Sequence, residues 1–311
     1  MKAAICTKYG PPEVVVIKEI PKPVPQDNEI LIRITSTTVQ TGDSKMRDLT
    51  GAAGSQTKYN PVVKLLMRLM VGYNKPRNPV FGTELCGIIE SAGKKVTQHK
   101  AGDEVIVMTD VKMSAHAEYI AWPQGKFIVN KPDNVTPDQA AALSFGGIAA
   151  LHFLRKAKIQ KGHSVLINGA SGAVGSAAVQ LAKHFGAVVT GVCGTGNIDV
   201  VKSLGADFTA DYTKEKIENI NRKFDVIFDT VGKISKKRCK HILKPAGKFV
   251  TVLSGIAIGK HKDLEFLCDL AKEGKYTPVI DKCFLLEEII EAYKYVETGH
   301  KTGNVVLHPH E

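Results

Sequence analysis

Ser164-Val165-Leu166-Ile167-Asn168-Gly169-Ala170-Ser171-Gly172-Ala173-Val174-Gly175 is an apolar run that breaks into a glycine-rich turn. Glycines 169, 172 and 175 recur every third residue and lead into a helix-forming stretch over 174–185. A strand that turns on glycine into a helix is the layout of a dinucleotide-binding unit. Gly169 allows the tight turn, Gly172 lets backbone approach a pyrophosphate, and Gly175 lets the helix pack close to the sheet. The free N–H groups and dipole of the helix N-terminus then face the phosphates.

Working outward, the same rhythm continues. Residues 164–167, 188–192, 225–228 and 249–253 read as strands, and 174–185, 198–204 and 235–243 read as helices. The strands are continuous apolar runs, as expected where helices cover both faces of a parallel sheet. The expected class is α/β, with a Rossmann doubly wound parallel sheet over 123–279. Strand 249–253 is expected towards a sheet edge, where an apolar edge invites pairing with a second copy. A homodimer is therefore expected.

Residues 1–122 read differently. Ile30-Leu31-Ile32-Arg33-Ile34, Val105-Ile106-Val107-Met108 and Ala117-Glu118-Tyr119-Ile120-Ala121 are short strand candidates between Gly and Pro signals. That pattern suggests a compact β-barrel-like domain. One helix is expected there over 62–71, capped by Asn60, started by Pro61 and ended by Gly72. It packs on the domain or serves as a lid with Met67 and Met70 turned to a hydrophobic substrate. The tail carries a helix and a final strand over 303–307 and is expected to rejoin the first domain as 280–311.

Composition sets limits. The chain of 311 residues is 43% hydrophobic and 23% charged, the balance of a globular protein. It contains no uncharged apolar stretch of about 18 residues and opens without an apolar signal region, so a cytoplasmic, non-membrane protein is expected. The six cysteines form no C-x-x-C pair, and no histidine pair has zinc-like spacing, so reduced thiols and no metal are expected. The net charge of +11 comes from scattered basic residues. The densest cluster, Lys233 to Lys244, is expected on a solvated helix face. The scatter argues against nucleic acid and leaves a diffuse field that attracts an anionic cofactor.

Several segments together resemble the medium-chain dehydrogenase/reductase superfamily, and within it the zinc-independent quinone oxidoreductase-like branch. They are Met1-Lys2-Ala3, 80–93, Ala101-Gly102-Asp103-Glu104-Val105, 169–186, Leu204-Gly205-Ala206-Asp207, Asp211-Tyr212, Asp229-Thr230-Val231-Gly232 and 299–307. The resemblance implies a GroES-like substrate domain, a Rossmann domain and NADPH in the cleft between them. It implies hydride transfer to a quinone or an α,β-unsaturated carbonyl.

The implied cofactor residues are Gly169, Ala170, Ser171, Gly172, Ala173, Val174 and Gly175 at the pyrophosphate turn. Cys193, Thr195, Asn197 and Tyr212 match the adenosine-ribose segment, Val231 and Leu253 the strand ends, and His300, Lys301 and Thr302 the phosphate end. No carboxylate stands at 194–197 to accept from a ribose 2′-OH, and Thr195 and Asn197 could donate to a 2′-phosphate. NADPH is thus expected over NADH, although relatives often carry a basic residue where this chain has Thr302 and Asn304. The link between Leu253 and Leu264 is also shorter than in many members.

In zinc-dependent relatives a Cys and a His stand where this sequence has Gln40 and Thr83. Glu84 alone does not make a zinc site, so zinc-free chemistry is expected. Gln40, Asp43, Tyr59 and His116 are weak catalytic candidates, and no proton donor is singled out. The other function class in play is an NADPH-binding regulatory or RNA-binding protein with little turnover.

Overall fold

The computed structural model describes residues 1–49, 65, 68–69 and 71–310. The chain divides into two compact units. One comprises Met1–Ala142 with Ile280–Glu311, and the other Leu143–Val279.

The second unit carries a five-stranded sheet in the order β10-β9-β8-β11-β12, parallel throughout. The strands are β8 (Ser164–Asn168), β9 (Val188–Cys193), β10 (Phe208–Asp211), β11 (Phe224–Asp229) and β12 (Leu243–Thr251). Strand order reverses beside β8, so the chain after β8 turns out at the switch point where such sheets receive ligands. Val165, Leu166, Ile167, Val226, Ile227 and Phe228 are wholly buried, because helices α3 (Ser144–Lys156) and α4 (Ala173–His184), with their neighbours α5 (Ile198–Ser203) and α6 (His261–Lys272), belong to this unit. Parallel strands covered on both faces have no polar face to show.

The first unit holds a seven-stranded sheet ordered β13-β14-β3-β4-β5-β7, with β6 on β3. Its strands are β3 (Glu29–Val39), β4 (Glu84–Ala92), β5 (Glu104–Met108), β6 (Tyr119–Pro123), β7 (Ile128–Asn130), β13 (Ile280–Leu285) and β14 (Asn304–His308). A separate hairpin pairs β1 (Lys2–Cys6) with β2 (Val15–Glu19). Ile30, Ile32 and Ile34 alternate along β3 into one core with Leu85, Ile89, Val105 and Val107, the period of two that a pleated strand requires. Helix α1 (Thr41–Arg47) follows β3, and α2 (Pro137–Ala141) starts at Thr136, whose hydroxyl accepts from the Gln139 N–H at 3.3 Å. Helix α7 (Ile289–Glu297) buries Ile289, Ala292, Tyr293 and Val296, spaced for one helical face, against Val39, Val305 and Leu307.

Three expectations change. The segment 123–142 goes with the first unit, because β7 pairs with β5 and α2 packs against β3 and β4. Of the helix expected over 235–243, residues 236–242 form turns instead. Lys236, Lys237, Arg238 and Lys240 crowd like charges within one turn, and Leu243 is drawn into β12 opposite Phe224. The basic run is nonetheless solvated, while Cys239 and Ile242 sink into the core. The strand expected at 249–253 is β12, which runs earlier, over Leu243–Thr251, at the edge of its sheet.

Of the helix expected over 62–71, Leu65, Arg68, Leu69 and Val71 are helical, and Gly72 follows at φ +125° with its N–H on the Arg68 carbonyl. Asn60, Pro61, Met67 and Met70 lie outside the described residues. In the tail, β14 pairs antiparallel with β3. Among the described residues no helix is long and apolar enough to cross a membrane.

Candidate functional site

In the second unit the glycine turn is pinned to β9: the Gly169 and Ala170 N–H groups both donate to the Val192 carbonyl, at 3.0 and 2.9 Å. Gly169 sits at φ +77°, and a Cβ there would lie 2.6 Å from Val231 Cγ1. A Cβ on Gly175 would lie 2.0 Å from the Gly169 carbonyl oxygen. Both glycines are demanded by the protein itself. Gly172 is different. It precedes α4 at an ordinary φ of −75°, and a Cβ there would meet nothing closer than 3.6 Å. The open space in front of the helix N-terminus therefore fits a ligand that needs close approach, and phosphate oxygens match its free N–H groups.

Asp229, fully buried at the end of β11, organises the neighbouring turn. Its carboxylate accepts from Asn168 Nδ2 at 2.9 Å, Gly232 N at 3.1 Å and Ile234 N at 3.2 Å. Val231 and Leu253 are left exposed beyond the strand ends. Asp229 appeared in the sequence only as part of a motif. Its role follows from the parallel pairing of β8 with β11, in which Asp229 lies opposite Asn168.

At the end of β9, Cys193 is buried, and burial pushes its thiol up to about 11. Thr195 opens a short 3-10 turn through Asn197. Its hydroxyl donates to Asp211 Oδ2 at 2.5 Å, and Asp211 Oδ1 accepts from the Thr213 N–H at 2.9 Å and its hydroxyl at 2.7 Å. These bonds, from Thr195 first, hold the Asp211 carboxyl below the usual carboxylate range. Tyr212 is exposed, and a Cβ on Gly194 would come within 3.2 Å of its hydroxyl. A carboxylate thus stands beside Thr195, contributed by Asp211 at the end of β10. Sequence reading missed it because Asp211 reaches this corner only through the register that sets it opposite Cys193.

In the first unit, Gln40 Nε2 lies 2.9 Å from Glu84 Oε1, 3.0 Å from Asn304 Oδ1 and 3.1 Å from Thr38 Oγ1. Thr38 also donates to Glu84 Oε1 at 2.7 Å, and Glu84 is fully buried. Gln40 comes from the cap of α1, Glu84 from β4 and Asn304 from β14. The Thr83 hydroxyl is buried without a hydrogen-bond partner among the described residues.

Of the three positions compared with a catalytic zinc site, Gln40 and Thr83 offer an amide and a hydroxyl. Only Glu84 offers a zinc donor, and its Oε1 already accepts two hydrogen bonds. Three protein ligands around an open position are needed, so these residues do not fit that metal.

Asp43, in the first turn of α1, accepts from the Gln40 N–H at 2.7 Å; burial pushes its carboxyl up to about 7. His116 Nε2 faces the Thr38 carbonyl at 2.9 Å, so that nitrogen carries the proton. Burial pushes the ring's pKa down to about 4, which keeps it neutral. Both side chains are engaged in holding backbone. Tyr59 lies outside the described residues.

Thr302 N donates to Asp281 at 2.8 Å, and His300 is exposed. Lys301 donates to the Gly303 carbonyl. Part of the residue stays open, but burial of its ammonium pushes the pKa down to about 8, with Asp281 and Glu84 pulling the other way. A half-buried lysine whose ammonium feels Glu84 is the feature that spacing alone could not reveal.

A parallel nucleotide-type sheet with a GroES-like companion unit defines a dehydrogenase architecture. Three family models match it: an alcohol dehydrogenase GroES-like domain over 26–159, and two described as zinc-binding dehydrogenase over 173–273 and 257–307. The 2-methylene-furan-3-one reductase of Solanum lycopersicum is 33% identical over 99% of this chain and 79% of its own. The NADPH-dependent alkenal/one oxidoreductase, chloroplastic, of Arabidopsis thaliana is 30% identical over 99% and 80%. Among solved structures, the quinone oxidoreductase from Coxiella burnetii matches with a TM-score of 0.85 at 25% identity, covering 100% of this chain and 99% of that one. The chain belongs to the medium-chain dehydrogenase/reductase family, among its quinone and alkenal oxidoreductases.

Proposed function

We propose that this protein is an NADPH-dependent oxidoreductase that reduces quinones or α,β-unsaturated carbonyls without a catalytic metal. The observation that carries the reading is the open approach at Gly172, at the N-terminus of α4 and beside a strand-order reversal. The relatives' names supply the substrate class and the cofactor.

When bound, NADPH supplies the hydride, which passes to the β-carbon of an enone or to a quinone. The chain's residues bind, orient and shield. The 169–175 turn holds the pyrophosphate through N–H groups, and Val231 and Leu253 offer apolar surface. We assign the Thr83 hydroxyl, buried without a partner among the described residues, and the Lys301 ammonium as donors for the oxygen on which negative charge develops. Conjugation spreads that charge, so hydrogen-bond donors suffice where a metal is absent. We also propose a homodimer formed along the β12 edge, which light scattering over a wide concentration range would check; a monomer throughout is the contrary result.

The test is oxidation of NADPH and NADH with a panel of quinones, enones and saturated aldehydes, before and after prolonged chelation. Turnover confined to conjugated acceptors and unchanged by chelation is expected. NADPH-independent behaviour, or recovery that requires zinc, overturns the reading.

A further inference from the structure

Among the described residues one group of three side chains has the chemistry and spacing of a metal site: Asp138, Cys283 and His308, whose ligand atoms all lie within 4.8 Å of one another. None belongs to the Gln40–Glu84 network. Asp138 stands in the first turn of α2, Cys283 on β13 and His308 on β14.

The sheet builds most of the arrangement. β13 and β14 run parallel with Cys283 opposite Val306 and Leu285 opposite His308. Cys283 and His308 are therefore diagonal neighbours on one face of the strand pair. Asp138 comes in from α2 and meets both. His308 Nε2 lies 2.8 Å from Asp138 Oδ1, and Cys283 Sγ lies 3.6 Å from Asp138 Oδ2. The Ser36 hydroxyl donates to Asp138 Oδ1 at 2.6 Å and fixes the carboxylate from behind, the kind of outer contact that orients metal ligands.

We propose that Asp138, Cys283 and His308 bind one thiophilic divalent cation, of which Zn²⁺ is the representative, with the fourth position open to water. The spacing supports this. Around a tetrahedral zinc, with bonds of about 2.3 Å to sulfur and about 2.0 Å to oxygen, the two ligand atoms stand about 3.5 Å apart. The thiol and carboxylate stand at 3.6 Å already. His308 Nε2 pairs with the other oxygen, Oδ1, at 2.8 Å, so the ring must leave that hydrogen bond to join a cation held on Oδ2, where imidazole and oxygen stand about 3.3 Å apart. One sulfur, one nitrogen and one oxygen suit zinc-like ions and not magnesium or calcium, which take oxygen ligands. Cys283 is exposed and the other two are half-buried, so a cation reaches the site from solvent. On binding, the Cys283 S–H bond breaks and its proton leaves to water, while sulfur donates the electron pair to the metal; no redox change occurs.

Such a cation would tie the carboxy-terminal strand pair β13–β14 to α2 and stabilise the first unit by mass action. It would be separate from turnover, since no ligand is shared with the proposed reaction site.

The test is titration of the full chain, stripped of metal, with Co²⁺ as the probe. A thiolate-to-cobalt charge-transfer band saturating at one equivalent is expected. The other five cysteines are buried, so the band reports Cys283. Cys283→Ser should abolish it, and Asp138→Asn and His308→Gln should each weaken binding at least about tenfold. Zn²⁺ should raise the melting temperature of the wild type and not of Cys283→Ser. His310→Gln is the control, because His308 and His310 together could chelate as a tail. No thiolate band in the wild type overturns the proposal. So does a loss of binding in His310→Gln with Asp138→Asn unaffected, which would assign the ion to the tail. Circular dichroism of each variant separates failure to bind from failure to fold, and for a variant that does not fold, Co²⁺ binding by the remaining two decides.

Discussion

The Thr195 hydroxyl donates to the Asp211 carboxylate at 2.5 Å, joining the end of β9 to the end of β10. This bond changes how the adenosine corner is read. A free threonine hydroxyl could donate to a 2′-phosphate, but this one is committed to a carboxylate. Asp211 meanwhile brings negative charge to a corner that looked neutral in sequence. A 2′-OH would find an acceptor there, and a 2′-phosphate would find some repulsion.

The cofactor preference should therefore be adjustable at Asp211. The wild type is expected to favour NADPH by no more than about tenfold, less than charge-assisted hydrogen bonds from Thr195 and Asn197 alone would give. Asp211→Asn should raise the ratio of kcat/KM for NADPH over NADH by about another tenfold by removing the repulsion. Thr195→Asp adds a second carboxylate and should reverse the order. Steady-state kinetics with both cofactors decide it; an unchanged ratio in Asp211→Asn means this corner does not hold the 2′ group.

Gly172→Val tests the phosphate turn. The residue has an ordinary φ, and a Cβ meets nothing within 3.6 Å, so the variant should fold with a nearly unchanged melting temperature. A branched side chain there would fill the space the pyrophosphate needs. Binding of NADPH, read by its fluorescence, should weaken at least about a hundredfold, since phosphate N–H contacts are charge-assisted. A folded variant with wild-type affinity would mean the turn holds no nucleotide.

These two sites differ in how far sequence could reach. Gly169, Gly172 and Gly175 were legible because strand, turn and helix are contiguous, and local geometry dictates the residue types. The β8–β9–β11 core was legible for the same reason, as runs of apolar residues. Asp211 and Asp138 were not. Their partners lie 16 residues away at Thr195 and 170 away at His308; strand register brings the first pair together, and the packing of α2 on the sheet brings the second. The 235–243 segment misled because Ile234, Ile242 and Leu243 supply helical spacing, while the charges between Ile234 and Ile242 oppose a helix and β12 claims Leu243. Lys301 was visible as a residue, but its burial beside Glu84 depends on how β14 lies against β3.

Asp43 should make stability depend on pH. Its folded pKa, about 7, lies above the ordinary 3.8 because of burial. A carboxyl raised in the folded state binds more protons there than in the unfolded chain, so stability falls as pH rises from about 4 to about 7. At about 1.4 kcal/mol for each unit, the loss is a few kcal/mol at most. Asp43→Asn is nearly isosteric and keeps an oxygen to accept from the Gln40 N–H. It should lose this decline, gaining roughly 5 °C over the wild type at pH 8 and little at pH 4. Melting curves across that range check the slope, and parallel curves for the two proteins would assign the decline to another group.

Lys301 gives the most direct test of the proposed chemistry. Burial lowers its pKa to about 8, so its ammonium loses a proton within a range where activity is easily measured. If that charge stabilises the oxygen of the accepting carbonyl, kcat should fall as pH rises through about 8, because the charged form is the useful one. Removing it with Lys301→Met should lower kcat by about a hundredfold, the range of a positioned acid, and abolish the alkaline fall. Lys301→Arg keeps a charge that does not titrate below about pH 12, so it should retain part of kcat and shift the fall out of range. A lysine that held a cofactor phosphate instead would raise the KM for NADPH in Lys301→Met and leave kcat nearly intact. The two roles separate on kcat against KM and on the pH profile. A wild-type kcat that stays flat from pH 7 to about 9.5 would remove Lys301 from the chemistry.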